Sequence, residues 1–556
     1  MSMTNAPPPT RQAPAGDPGA HRAGRTAAAL IGIIAVGITL AGAELLARAA
    51  AWIGLTTTAA SPFDSLGAAF IAVTPEWLKN IGIGLFGQND KLALAISMGV
   101  VGLVAGAGIG LVGRVSERAG LALAAALAAI TAVAIGTRPH AGPPDIVPLL
   151  AGAGAGLGFL HAALRHRYDE VLGWGPPSDP RRRVVRLIGV GALSAAVAGA
   201  ASRLVPAAVD VQAERAAVTL PPVAGGATST ASSGAAEAGP RPGTLVIPPA
   251  LPYGADPAVP DLTSFTTTAD AFYRVDTAFV LPRVPTESWQ LNVHGMVQHP
   301  FGITWTDLLA LPQIERWITL ACVSNEVGGN LVGNAAWQGV RVADLLARAA
   351  PLPGADCVYS TSADHFTVTT PLAALTDGRD AMLAIGMNGA PLPIAHGFPV
   401  RLVVPGLYGY VSATKWVVDL EVTTFARATA YWTERGWAAQ GPIKTASRID
   451  TPHYGVSLKP GVVAVAGVAW AQHRGISAVE VQVDDGPWQR ATLAGAASPD
   501  TWVQWVYRWD TSTVARGSHH LTCRAIDGGG VVQTATPAPV APDGATGYHS
   551  IHVVTA

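Results

Sequence analysis

Long apolar stretches, separated by short polar segments, dominate the first 205 residues of the chain. Each stretch has about 19–24 residues, enough for a helix to cross the roughly 30 Å of hydrocarbon in a bilayer. Gly and Ala are frequent in these stretches, and small residues allow helices to pack closely in lipid. The pattern predicts five transmembrane helices, at residues 26–48, 90–113, 119–137, 145–164 and 184–205.

The stretch at 64–89 is also apolar, but Pro75 and Glu76 interrupt it. We interpret it as an amphipathic or re-entrant segment. Without a sixth span here, the Arg-rich loops lie on the same side as the N-terminus, and Lys and Arg accumulate on the cytoplasmic side of membrane proteins. Residues 1–25 are therefore expected to form a disordered cytoplasmic tail. The C-terminal half is expected outside the cytoplasm, beyond the plasma membrane.

The pattern changes after the membrane region, 26–206. Residues 207–245 are rich in Ala, Gly, Ser, Thr and Pro, which predicts a flexible linker. Alternating strands such as "SWQLNVHG" and "KWVVDLEVT" then mix with short helices such as "RVADLLARAA", so 246–430 is predicted to be an α+β domain. Only strand patterns remain in 440–556, which predicts an immunoglobulin-like sandwich. The fold class is therefore multi-domain.

Composition and charge exclude several classes of protein. Charged residues make up only 13% of the chain and the formal net charge is −1, so nothing indicates nucleic-acid binding. The three cysteines, Cys322, Cys357 and Cys523, are far apart, which disfavours a zinc site or a disulfide framework. On composition alone each is best interpreted as a buried thiol. The spans contain no opposed histidine pair, so no haem is predicted.

Several motifs follow one another in the second half of the chain. They are "CVSN" at 322–325, "AWQGVRVADLL" at 336–346 and "MNGAPLPIAHGFPVRLVVPGLYGYVSATKW" at 387–416. With the C-terminal strands, this ordered set resembles the sulfite oxidase family of molybdopterin oxidoreductases over about 260–556. The resemblance implies that 246–430 binds a molybdenum–molybdopterin cofactor. It also implies that the C-terminal sandwich mediates a homodimer.

The resemblance also implies particular site residues. Cys322 occupies the position of the family's molybdenum ligand, and a soft thiolate suits a redox metal that also binds oxo groups. Arg401 and Lys415 match cofactor positions, where they would bind the anionic phosphate of the pterin. Arg274 and Asp276 lie near the place where sulfite oxidases keep a substrate-contacting arginine, and they join the candidate cofactor-binding set.

Four further candidates are polar residues beside these motifs. Asn325 either hydrogen-bonds the pterin or shapes the turn after the cysteine. His396 is expected to donate a hydrogen bond to the pterin. Ser412 and Thr414 are expected to bind the phosphate through their hydroxyls and backbone N–H groups.

The chain departs from the family pattern at residues expected to contact substrate. Glu326 and Val327 stand where sulfite oxidases have two arginines, and Ile385 stands where they have a tyrosine. A site that loses donors and positive charge suits dianionic sulfite poorly. A neutral oxo donor or acceptor, such as a sulfoxide or an N-oxide, fits this charge better.

The sequence therefore predicts a membrane-anchored molybdopterin oxidoreductase that performs two-electron oxygen-atom transfer outside the cytoplasm. Its partners would be a small oxo donor or acceptor and a separate electron-transfer protein. Two alternatives stay open. One is a reductase of methionine-sulfoxide-type groups or N-oxides, and the other is a non-catalytic membrane protein with this fold.

The segment "PRRRVVR" at 180–186 precedes the fifth predicted span. It resembles a twin-arginine export signal, with Arg181 and Arg182 as the pair. This kind of export moves folded, cofactor-loaded domains, which agrees with the predicted cofactor. The alternative interpretation is an ordinary basic loop on the cytoplasmic side.

Overall fold

The structure is a computed structural model, which describes two compact units. The units are Met1–Ala208 and Val209–Ala556. The described residues are 25–75, 90–138, 141–165, 180–205, 210–223, 254–278 and 280–556. The predicted cytoplasmic tail, apart from Arg25, lies outside these residues.

The described part of the first unit is helical. Helices long and apolar enough to cross a membrane occur at the first four predicted positions: Arg25–Trp52, Ala93–Val115, Glu117–Gly136 and Pro143–Leu164. At the fifth position the apolar helical part, Ile188–Leu204, is shorter, so a fifth span stays a prediction. The helices are α1 (Arg25–Trp52), α2 (Pro62–Val73), α3 (Asp90–Val115), α4 (Glu117–Gly136), α5 (Val147–Arg165) and α6 (Pro180–Leu204).

Two predictions for this unit are only partly covered by the described residues. The predicted re-entrant segment at 64–89 begins inside α2, and its residues 76–89 lie outside the description. The backbone of the predicted export pair, Arg181 and Arg182, is helical, but its side chains are not described. Both interpretations therefore stay predictions.

Glycines set the distance between α1 and its neighbours. A Cβ on Gly110 of α3 would lie within 2.8 Å of the Ala28 carbonyl carbon, and a Cβ on Gly152 of α5 would lie 2.4 Å from the Thr39 carbonyl oxygen. No larger side chain fits these contacts. The Gly and Ala content of the apolar stretches therefore serves close backbone packing, as expected of helices in lipid.

Two mixed or antiparallel sheets form the α+β region of the second unit. The first has the strand order β2-β1-β10-β5-β6, in which β1 and β10 are parallel. The second has the order β3-β4-β7-β8, and β9 also pairs with β7. The strands are β1 (Gln290–Gly295), β2 (Phe301–Thr304), β3 (Ile314–Ala321), β4 (Val332–Arg341), β5 (Cys357–Ser362), β6 (Thr367–Pro371), β7 (Met382–Met387), β8 (Ala390–Pro391), β9 (Arg401–Val403) and β10 (Val417–Thr423).

Short helices complete this region and correct one prediction. They are α7 (Val211–Ala217), α8 (Trp305–Ala310), α9 (Val342–Ala349) and α10 (Leu372–Thr376). Helix α7 falls inside the predicted flexible linker, but Arg215 donates to the carbonyls of Pro391 and Leu392, at 2.7 Å each. The prediction of a flexible linker is therefore wrong for the residues of α7, because Arg215 binds the α+β region. Residues 224–253 lie outside the described residues.

The last strands form two sheets that share one apolar core. Side chains of both sheets, including Trp505 and Leu521, pack together there with Cys523. One sheet has the order β11-β13-β17-β16 and the other β12-β19-β18-β14-β15. The β-rich C-terminal region is confirmed, and its immunoglobulin-like character stays a prediction. The strands are β11 (Ala446–Thr451), β12 (Ser457–Leu458), β13 (Val462–Trp470), β14 (Ile476–Val483), β15 (Gln489–Arg490), β16 (Thr492–Leu493), β17 (Val503–Asp510), β18 (Gly517–Asp527) and β19 (His549–Thr555).

Replacing Gly339 with alanine should destabilise the second unit. A Cβ at Gly339 of β4 would lie 2.0 Å from the Leu383 carbonyl oxygen of β7, so the two strands would have to separate. We expect a loss of about 1–3 kcal/mol, seen as a lower thermal midpoint. Gly302→Ala is the matched control, because its nearest atom would be 3.4 Å away. Equal midpoints for the two variants would contradict the close packing of β4 on β7.

Candidate active site

One pocket of the second unit brings together residues from distant parts of the sequence. Tyr273 and Asp276 come from the segment before β1, and Cys322 directly follows β3. Arg401 begins β9, and Lys415 lies two residues before β10. The ends of three strands therefore fix the cysteine and the two cations around one space.

Cys322 presents a buried thiol to this pocket. Burial raises the pKa of the thiol. Hydrogen bonds from the backbone N–H and hydroxyl of Ser324, together with the charge of Lys415, act in the opposite direction. These donors and this cation would stabilise a thiolate once a metal ion replaced the proton. The surroundings of Cys322 therefore fit a metal ligand.

The loop after Cys322 is held by its own turn and by the C-terminal sheets. Asn325 Oδ1 accepts the Leu331 N–H at 2.8 Å, so this side chain shapes the turn and does not line the pocket. Gly328, at φ +78°, lies so close to His549 that a Cβ would clash with the imidazole ring. Arg448 donates to the Gly329 carbonyl at 2.7 Å. The loop glycines therefore serve contact with the C-terminal region.

Arg401 carries a buried positive charge without a counter-ion. Its side chain is 4% exposed, and no carboxylate among the described residues pairs with it. One nitrogen donates to the His396 carbonyl at 3.1 Å, while Nε has no partner in the described residues. Burial lowers the pKa of the guanidinium to about 10, so it stays charged at neutral pH. An uncompensated buried cation of this kind is suited to an anionic ligand.

Lys415 adds a second cation, which shares its carboxylate with Arg274. Its Nζ lies 3.2 Å from Asp276 Oδ2, and the same oxygen accepts Arg274 Nε at 2.7 Å. Burial lowers the pKa of Lys415 to about 8, against the raising effect of Asp276. Arg274 does not line the pocket and instead holds Asp276 in place. Arg401, Lys415, Arg274 and Asp276 together leave a net positive charge of about two.

His396 lies beside Arg401 with its hydrogen-bonding roles reversed from the prediction. Nε2 is 2.8 Å from the Ala269 carbonyl oxygen, which can only accept, so Nε2 carries the proton. Burial, followed by the charge of Arg401, lowers the pKa of the ring to about 4. The neutral ring therefore has a bare Nδ1, which is buried without a partner among the described residues. Nδ1 of His396 can therefore only accept a hydrogen bond from a ligand, whereas the sequence predicted that His396 would donate one.

Ser412 and Thr414 do not line the pocket, contrary to prediction. Both are fully buried. The Ser412 hydroxyl donates to the carbonyls of Leu407 and Tyr408, and the Thr414 hydroxyl bonds Ser360 Oγ at 2.6 Å. The Ser412 hydroxyl is used within the loop, and the Thr414 hydroxyl is used by Ser360 of β5. Both residues therefore fix the conformation of the loop. From this loop Gly409, Tyr410, Ala413 and Lys415 reach the pocket instead.

Glu326 does not contribute charge to the pocket, contrary to the prediction. Glu326 and Val327 are exposed, and neither lines the pocket; Ile385 is fully buried elsewhere. The cations of the described lining are Arg401 and Lys415, while Asp276 and Asp364 supply negative charge. The charge of the pocket therefore depends on these four residues rather than on Glu326.

Several aromatic side chains of the pocket were not predicted from the sequence. Phe366, Tyr410, Trp432 and Trp437 line it, and we call these four residues the aromatic wall. Aromatic residues mostly indicate a core, so composition gave no reason to single them out. The spacing of two tryptophans in "YWTERGW" was the one available signal.

The low pKa of His396 predicts a pH dependence of stability. Between about pH 4 and 6.5 the unfolded chain binds a proton that the folded chain does not, so stability falls as pH decreases through this range. Relative to His396→Gln, cofactor-free protein should lose on the order of 3 kcal/mol. Thermal unfolding of both proteins from pH 4 to pH 8 tests this, and parallel curves would contradict a buried, neutral imidazole.

Comparisons with known proteins agree with this site. A profile described as "Oxidoreductase molybdopterin binding domain" matches residues 278–432. Human mitochondrial sulfite oxidase is 28% identical over 336 residues, 52% of this chain and 61% of that protein's length, so the chain spans less than two thirds of that relative.

Two further comparisons cover different shares of the chain. The sulfane dehydrogenase SoxCD of Paracoccus pantotrophus is similar in structure at 24% identity and a TM-score of 0.44, covering 49% of this chain and 76% of that one. The uncharacterized oxidoreductase YuiH of Bacillus subtilis is 33% identical over 153 residues, 28% of this chain and 74% of that protein. The chain belongs to the sulfite oxidase family of molybdopterin-dependent oxidoreductases.

Proposed function

We propose that this chain is a membrane-anchored oxidoreductase that binds molybdopterin in the pocket, with Cys322 as the molybdenum ligand. The cofactor would serve oxygen-atom transfer with a neutral substrate such as a sulfoxide or an N-oxide. One observation carries the proposal: a buried thiol lines the same pocket as a buried guanidinium that has no carboxylate partner among the described residues. The guanidinium Nε also has no hydrogen-bond partner among those residues.

The polar groups of the pocket fit the cofactor. The buried Arg401 guanidinium and the Lys415 ammonium suit a phosphate, which is the anionic end of a pterin cofactor. His396 does not line the pocket, but its carbonyl holds Arg401, and its bare Nδ1 suits an N–H donor that would approach from the side of Arg401. When bound, molybdopterin supplies a centre that exchanges two electrons and an oxygen atom with the substrate. The chain contributes the thiolate, the positive charge and a shaped space.

The charge balance of the lining favours a neutral substrate. If Arg401 and Lys415 neutralise the phosphate, Arg274 still pairs with Asp276, and the described lining retains Asp364 but no further cation. A dianionic sulfite ion would then meet the Asp364 carboxylate without a further cation of the described lining, which is unfavourable in a partly buried space. A sulfoxide carries no net charge and needs only donors near its oxygen. Its reduction consumes two electrons and two protons and yields a sulfide and water.

The placement of the protein in the cell is part of the proposal. Four helices long enough to cross a membrane support anchoring. The excess of Arg in loops on the N-terminal side supports a cytoplasmic N-terminus and a catalytic region outside the plasma membrane. We propose that a separate electron-transfer protein supplies the electrons. A homodimer through the C-terminal sandwich and export directed by Arg181 and Arg182 belong to the same proposal.

Replacing Cys322 tests the ligand. Cys322→Ser should lower the molybdenum content of the purified full chain by about tenfold or more, because the metal loses its protein ligand. X-ray absorption should also count one sulfur fewer around any molybdenum that remains. Cys523→Ala is the matched control, because Cys523 is fully buried in the C-terminal core. Unchanged molybdenum content and an unchanged sulfur count in Cys322→Ser would refute ligation, and a parent without molybdenum would favour a non-catalytic role.

A substrate panel tests the charge argument. Molybdenum-loaded protein should oxidise reduced viologen with dimethyl sulfoxide or trimethylamine N-oxide as the oxygen donor. It should oxidise sulfite with ferricyanide at least about tenfold less efficiently in kcat/KM, because an anion is disfavoured in the pocket. A higher kcat/KM for sulfite than for both oxygen donors would overturn the proposed substrate class.

A further inference from the structure

We infer that the aromatic wall is a subsite for an aromatic substituent of the substrate, so that the preferred substrate is an aryl sulfoxide rather than a small one. The inference rests on the proposed function and names the substrate class of the same pocket. It goes further because it assigns a role to Trp432 and Trp437, which neither cofactor binding nor metal ligation uses.

The two tryptophans come from one tight turn. Residues 432–437 form a short 3₁₀ turn over Thr433–Arg435 and close at Gly436, whose φ of +89° favours glycine. The Trp437 N–H donates to the Trp432 carbonyl at 3.2 Å. The rings lie edge to face, with centroids 6.1 Å apart and an interplanar angle of 78°. The turn thus presents two large rings to the pocket as one unit.

Contacts with separate segments hold this unit in place. The Tyr431 N–H donates to Thr367 Oγ1 of β6 at 3.1 Å. The Ala438 N–H donates to the Pro542 carbonyl at 3.0 Å, and the Ala438 carbonyl accepts the Tyr410 hydroxyl at 2.7 Å. The Tyr410 and Trp437 ring centroids are 5.9 Å apart. The wall is therefore positioned before a ligand binds, which reduces the entropy lost on binding.

Core packing alone does not account for the wall. Trp337 is 0% and Trp502 1% exposed, whereas Trp432 and Trp437 stay only partly buried and face the pocket that Cys322 also lines. An apolar group packed against the two rings would remove this surface from water, worth about 25 cal/mol per Å² of buried area. The exposed ring surface is therefore suited to a ligand.

The lining of the pocket combines two kinds of chemistry. Cys322, Arg401 and Lys415 supply polar and charged groups, and the wall supplies apolar ring surface. A sulfoxide has the matching polarity, with one polar S–O group and two carbon substituents. An aromatic ring in the substrate would pack edge to face or offset against the indoles, as ring pairs prefer.

Charges near the wall select against ionic substituents. Asp364 lines the pocket and disfavours a carboxylate there. On the other side, the Arg435 guanidinium lies 3.6 Å from the centroid of the Tyr431 ring, and Tyr431 packs on Trp432 with centroids 5.1 Å apart. Glu434 lies 3.7 Å from this guanidinium and offsets part of its charge, so the remaining repulsion of a quaternary ammonium group would be reduced. A neutral aryl group avoids both charges.

Selectivity between two sulfoxides tests the inference. With reduced viologen as electron donor, the molybdenum-loaded full chain should turn methyl phenyl sulfoxide into methyl phenyl sulfide and water. Its kcat/KM should exceed that for dimethyl sulfoxide by about tenfold or more. In the double variant Trp432→Leu, Trp437→Leu this ratio should fall to about one to three, mainly through KM. Trp488→Leu is the matched control, because Trp488 is partly buried on the C-terminal sheets and packs on Tyr548 and Arg524.

A binding measurement separates failure of the subsite from failure of the proposed function. Methyl phenyl sulfone, which has the same shape but resists reduction under these conditions, should quench tryptophan fluorescence in the parent and in Trp488→Leu. The quenching should be lost in the double variant at equal molybdenum content, and this result supports the subsite even if no sulfoxide is reduced. Equal kcat/KM for the two sulfoxides in parent and double variant, with equal sulfone binding, would overturn the subsite and leave oxygen transfer standing. Tighter binding of phenyltrimethylammonium than of the sulfone would also overturn it, in favour of a cation site.

Discussion

Arg401 brings a full positive charge into the interior of the second unit, where no carboxylate of the described residues pairs with it. Among the described residues, the His396 carbonyl accepts a hydrogen bond from the guanidinium, and the face of the Trp337 ring lies 4.9 Å from it. The desolvation free energy of a buried charge without a counter-ion is unfavourable unless an anion binds beside it. The arrangement therefore makes sense when a ligand completes it. Lys415, which shares Asp276 with Arg274, and the bare Nδ1 of His396 lie near the same guanidinium.

The same pocket also contains the thiol and the aromatic wall, which make different demands on their surroundings. The cations need a desolvated, donor-rich end, and Cys322 benefits from the same positive field. Aromatic rings gain little from that field, and they suit an apolar group best where the charges balance. A pocket with both kinds of lining would suit a ligand that has a polar group and an apolar substituent.

The secondary structure was largely predictable from the sequence, and the roles of side chains were less so. The alternation in "SWQLNVHG" and "KWVVDLEVT" predicted β1 and β10, because strand burial has a period of two. Ser412 and Thr414 carry the groups that bind phosphate elsewhere, yet their hydroxyls bond their own loop and Ser360. Such local competition depends on distances that a sequence does not contain.

Cys322, Arg401 and Lys415 converge as predicted because the resemblance supplied an arrangement in space. The same resemblance placed Glu326 near the substrate, where the structure leaves it exposed. The direction of the His396 hydrogen bond depended on one carbonyl of Ala269, more than a hundred residues away in the chain. Trp432 and Trp437 stayed unrecognised because a half-buried ring and a core ring look the same in a sequence.

The loop that carries Cys322 contacts Arg448 and His549. Both residues are synthesised after every described residue that lines the pocket. The loop can therefore adopt its final shape only when synthesis of the C-terminal strands is complete. A chain that stops short, or that misfolds in its last hundred residues, leaves the cysteine on an unsupported loop. The C-terminal sheets are therefore needed for the final shape of the loop that carries Cys322, so this loop matures only with the completed C-terminal strands.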